Sequence, residues 1–94
     1  MRITDITRSP EPCTEAGWLA FQYHLEKPVE GRFIAAMRPL GSMVFLDRLA
    51  QPFFKIESQH YMIKGLLGDT SIRVAVHGDH QDEQKEIKKL IESI

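Results

Sequence analysis

A change of hydrophobic period near His77 limits what this chain can fold into. From Trp18 to Val76 apolar and polar residues tend to alternate, the two-residue repeat of strands; from Gln81 to Ile94 the apolar residues follow a helical spacing. The order is therefore a run of short strands followed by a helix. In Trp18 to Leu25 the odd positions Leu19, Phe21, Tyr23 and Leu25 are all apolar, which favours a strand. Trp18, Phe21, Gln22 and Leu25 would share a face in the competing helical reading, with Thr14 as its cap.

Turn chemistry divides the rest. Ser9-Pro10-Glu11-Pro12 is a break after a short edge strand in Met1 to Thr7. Lys27-Pro28-Val29-Glu30-Gly31 reads as a hairpin loop leading into Arg32 to Arg38, and Pro39-Leu40-Gly41 as a second turn. Ser42 to Asp47, Phe53 to Ser58, Tyr61 to Gly65 and Ile72 to Val76 follow as strands. Phe54 and Ile56 are out of phase with Tyr61 and Ile63 on a continuous strand, so Ser58-Gln59-His60 has to be a tight turn or a bulge.

After His77-Gly78-Asp79, Asp79 reads as a helix N-cap, with Asp82 and Glu83 in the first turn where the helix dipole favours carboxylates. Ile87, Leu90, Ile91 and Ile94 form one apolar stripe. Fourteen helical residues would reach about 21 Å, enough to cover a six-residue strand of about 20 Å. The expected fold is a single α+β domain over residues 1–94, a mostly antiparallel sheet of five to six strands with a C-terminal helix packed on one face. One helix covers two or three strands of such a sheet, and the remainder has to close on itself, be covered by the N-terminal segment, or find a partner.

Composition excludes several classes. With a net charge of −1, the chain as a whole is not drawn to nucleic acid or anionic membrane. Its longest apolar run, Phe33 to Met37, is far short of the ~20 residues that span a bilayer. The first twenty residues carry too many charges for a signal peptide, and the single Cys13 forms no internal disulfide; a cytoplasmic protein is expected.

Two constellations carry chemistry. His77-Gly78-Asp79-His80 offers His77, Asp79 and His80 as metal ligands, to be completed by His24, His60 or Cys13; the competing reading is a strand end and a helix cap. Residues 31–76 carry a net +3, and Lys55, Lys64 and Arg73 all fall opposite the apolar faces of their strands. If those strands are neighbours, the three cations form a row that can hold an anion, a nucleic-acid backbone or an acidic partner. Cys13 lies among carboxylates that raise a thiol pKa, which argues against a nucleophile there. Leu40-Gly41-Ser42-Met43 lacks the second glycine of a nucleophile elbow, and Gly65 to Thr70 lacks a phosphate-loop ending. No catalytic set is complete and no cofactor is specified. The leading expectation is a small non-enzymatic binding or protein-interaction module, self-associating as a homodimer through uncovered sheet. A metal-dependent protein and an anion or nucleic-acid binder are the alternatives.

Overall fold

The computed structural model describes residues 1–11 and 16–94. Six antiparallel strands form one sheet: β1 (Ile3–Arg8), β2 (Trp18–Leu25), β3 (Ser42–Leu46), β4 (Phe53–Glu57), β5 (Tyr61–Leu66) and β6 (Ser71–His77). Their order across the sheet is β1-β2-β6-β5-β4-β3. From β3 to β6 the chain meanders strand by strand, while β2 pairs with β6 far along the sequence. The strand reading of Trp18 to Leu25 holds, and Glu57 to Tyr61 is the hairpin turn that the phase change demanded.

Arg32 to Arg38 departs from the sequence reading. Instead of the second arm of a hairpin it begins with a short helix, α1 (Gly31–Ala36), followed by a 3-10 turn at Arg38–Leu40. Phe33 and Met37 stand four apart with Ile34 beside them, so a helix buries all three on one side, which a strand cannot do. Beyond β6 a 3-10 segment, Gly78–Glu83, leads into α2 (Gln84–Ser93). Asp79 is not the cap expected of it. The side chain of His77 takes that place, its Nδ1 accepting the Asp79 backbone N–H at 3.1 Å.

Both helices lie on the same face. The core joins Phe33, Ile34 and Met37 of the first helical segment and Ile87 and Ile91 of α2 to Tyr23, Phe54, Ile56, Ile63, Ile72, Val74 and Val76. The 3-10 turn after α1 packs near β4 and α2 near β1, so two short helices share the area that one was expected to leave bare. Tyr23 is fully buried and its hydroxyl donates to Gln84 Oε1 at 2.6 Å, tying β2 to the start of α2. Burial pushes the Tyr23 hydroxyl well above the ordinary tyrosine range, because a phenolate there would lose its hydration. The Tyr61 hydroxyl is raised for the same reason and donates to the Leu40 carbonyl.

The two sheet edges differ. β1 has a register shift between Ile3 and Asp5 and carries Asp5 and Arg8. β3 pairs regularly with β4, and Val44 and Leu46 on it are 46% and 47% exposed. Among the described residues no helix is long and apolar enough to cross a membrane.

Candidate functional site

The face opposite the helices is open, and the register decides what stands on it. Lys55 of β4 pairs with Lys64 of β5, and Lys64 pairs with Arg73 of β6. Arg73 pairs in turn with Gln22 of β2, and Gln22 with Thr7 of β1. Because side chains alternate along a strand, these five directly paired residues point to one face as a continuous row, at a strand spacing of about 4.8 Å. The three cations singled out from the sequence are therefore brought together, side by side.

Like charges directly opposite each other destabilise a sheet. Carboxylates relieve the two ends of the row. Lys55 Nζ lies 2.7 Å from Glu57 Oε1, and the nearby lysines hold the Glu57 carboxyl below its usual range, Lys55 first through hydrogen bond and charge and Lys64 after it. Arg73 donates to Ser9 Oγ at 2.9 Å and lies 3.6 Å from Glu11. Lys64, in the middle, is exposed and has no carboxylate within 4.0 Å among the described residues. A shallow concavity of about 600 Å³ surrounds it, lined by Gln22, Phe53, Lys64 and Arg73, with the carboxylate residues Glu11 and Asp69 also among its lining. Within that lining the Lys64 ammonium and the Arg73 guanidinium are the groups that suit a carboxylate or phosphate, while Glu11 and Asp69 are the acidic groups that such a ligand has to avoid.

The histidines form a second cluster at the end of the sheet where β6 ends. The His77 N–H donates to the His60 carbonyl at 2.8 Å, which draws the β4–β5 turn against the end of β6. The His60 and His80 rings stack with centroids 3.5 Å apart and planes within 3° of parallel. Glu83 Oε2 sits 2.6 Å from His60 Nδ1 and 3.3 Å from His80 Nδ1. Of the residues picked out from sequence, His80 belongs to this cluster and His60 completes it. His77 meets His80 only edge to face at 5.5 Å, with its Nδ1 committed to the Asp79 N–H. Asp79 is exposed, and its backbone rather than its carboxylate makes that bond. His24 lies six residues from Trp18 along β2, roughly 20 Å from this end, and bonds to Thr7 Oγ1 at 2.9 Å. Cys13 falls outside the described residues.

Glu83 was missed as a site residue because a carboxylate in a first helical turn is explained by the dipole alone. The signal that could have found it is its position three residues after His80, which puts the two on one side of a helical turn. Comparison with protein-family models, curated proteins and solved structures finds no significant match.

Proposed function

We propose that this protein is a small non-enzymatic binding module that holds an acidic segment of a partner protein on its open sheet face. The observation that carries this reading is the register that sets Lys55, Lys64 and Arg73 side by side. A fold pays for such a row in stability, and departures of this kind are concentrated at functional surfaces. A second copy of the same face is a poor occupant, because a two-fold contact would set cations against cations. An acidic protein segment fits better than nucleic acid. The chain carries a net charge of −1 and lacks the basic excess expected of a nucleic-acid binder.

Lys64→Glu tests the reading, since it places a carboxylate between two cations. It is expected to raise stability by roughly 0.5–1 kcal/mol, a few degrees in Tm, while abolishing salt-dependent binding of a glutamate-rich peptide. Fluorescence titration at low ionic strength reads the binding and thermal unfolding reads the stability. Failure of the wild-type protein to bind the peptide there, where charge attraction is strongest, defeats the proposal. Tighter binding of a single-stranded oligonucleotide than of the peptide would move the ligand to the nucleic acids.

One observation favours self-association as a second reading, at an edge and not at the face. Val44, Leu46 and Leu49 are 46%, 47% and 51% exposed and lie on or just after the edge strand β3. Pairing of two β3 strands would satisfy the free backbone groups of the edge and set the Val44 and Leu46 side chains, which stand on the face of Lys55, beside those of the second copy. The expected result is a solution mass that rises towards a dimer with concentration and returns to monomer in Val44→Lys. A mass that stays monomeric at millimolar concentration removes this reading.

A further inference from the structure

We propose that His60, His80 and Glu83 form a binding site for a borderline divalent metal ion of the zinc class, with two imidazole nitrogens and one carboxylate oxygen as ligands. One potential ligand atom from each residue lies within 4.8 Å of the other two. In a tetrahedral site with bonds of about 2.0–2.1 Å, neighbouring ligand atoms stand about 3.3 Å apart. Of the separations from Glu83 Oε2 to the two Nδ1 atoms, the 3.3 Å to His80 matches that edge and the 2.6 Å to His60 is shorter, so the carboxylate and the His60 ring have to move apart as the ion enters.

The donor set is chemically apt. Two nitrogens and one oxygen suit zinc, nickel or copper better than calcium or magnesium. The residues come from separate parts of the chain, His60 from the β4–β5 turn and His80 and Glu83 from the segment leading to α2, so an ion would clip the turn to the helix start. Residues 77–94 carry a net −2, which favours a cation. The ligands are neither deeply buried nor freely exposed: side-chain exposures are 28% for His60, 40% for His80 and 24% for Glu83. Solvent can therefore supply the remaining coordination positions.

Two features sharpen the assignment. A carboxylate only accepts, so the close contact with Glu83 places the proton of His60 on Nδ1, and coordination through that nitrogen requires the other tautomer, with the proton on Nε2. A nitrogen lone pair lies in the plane of its ring, so two parallel rings cannot both aim at one ion, and binding has to turn the rings out of their stack. The half-exposed His80 has the freer ring to turn. His77 is excluded as a ligand in the present arrangement. Its Nδ1 accepts the Asp79 N–H, which leaves the proton of the neutral ring on Nε2.

The test uses the chain without an affinity tag, stripped by chelator and titrated with Zn²⁺ by calorimetry and with Co²⁺ by visible absorption. One ion per chain is expected, with ring resonances of His60 and His80 shifting in NMR spectra. Glu83→Gln should weaken binding at least ~10-fold and His60→Gln/His80→Gln should abolish it. His77→Gln should retain affinity within about 3-fold, a factor below the ~10-fold loss of a removed ligand-shell partner. Cooperative thermal unfolding of each variant checks the fold. No binding by the wild type, or binding that survives the double substitution or vanishes in His77→Gln, overturns the site. None of these residues lies in the basic row, so this test and that of the sheet face fail independently.

Discussion

Replacing Phe54 by alanine is expected to cost about 3–5 kcal/mol, the range for deleting a fully buried aromatic ring. Phe54 has no exposed surface, and it pairs across the sheet with Gly65. A Cβ added at Gly65 would stand 2.6 Å and 2.9 Å from Phe54 ring carbons and 3.0 Å from Ile72 Cγ2. The ring therefore occupies the space that a side chain at 65 would need. Gly65→Ala is expected to destabilise by about 1–3 kcal/mol through overpacking. In the Phe54→Ala background the sign of that change should fall towards zero or reverse, since the new methyl enters the cavity that the lost ring leaves. Urea unfolding of the wild type, both single variants and the double variant measures the coupling. Additive costs would show that ring and glycine do not share this space. Domains of this kind are held by only about 5–15 kcal/mol, so the milder Phe54→Leu should be run beside the alanine variant.

The second large effect is at α2. Ile87 and Ile91 are fully buried four residues apart, Leu90 is half-buried, and Ile94 is 37% exposed. Truncation to alanine is expected to cost about 2–5 kcal/mol at Ile87 or Ile91 and about 1 kcal/mol at Leu90. At Ile94 it should cost no more than about 0.5 kcal/mol, the level of an ordinary surface change. The stripe that looks uniform in sequence is thus graded in energy. Denaturation midpoints read the ranking, and equal losses at Ile91 and Ile94 would contradict the way the helix is seated. Because this helix lies on the covered face, the peptide binding proposed for the Lys64 face should, where the wild type shows it, persist in variants that remain folded.

The helix at the end of the chain was legible because Ile87, Leu90 and Ile91 repeat at a period no strand can use. The strands were legible for the matching reason, down to the turn between Glu57 and Tyr61. The first helix was not. Its residues sit in the uninterrupted apolar run Phe33 to Met37, which has no period to read. Strand order was hidden as well, because pairing Trp18 with His77 depends on which elements share a core and not on any local signal. That gap governed the sites. Parity placed Lys55, Lys64 and Arg73 on one face, but only the register made them neighbours. At the histidine cluster, local spacing favoured His77 and Asp79, whereas the ring that stacks on His80 comes from twenty residues earlier in the chain.

The unequal edges have a consequence for how large an assembly can become. A filament of sheets requires two adhesive borders on each subunit, so that every addition exposes another. Here β3 presents a regular border with apolar side chains, while β1 is interrupted by its register shift and bears charges. If copies of the chain do pair through β3, as in the second reading above, that contact uses the one regular apolar border among the described strands on both molecules, and growth stops at two. On that reading, the asymmetry that offers one border to a neighbour is also what would keep the assembly from becoming a filament.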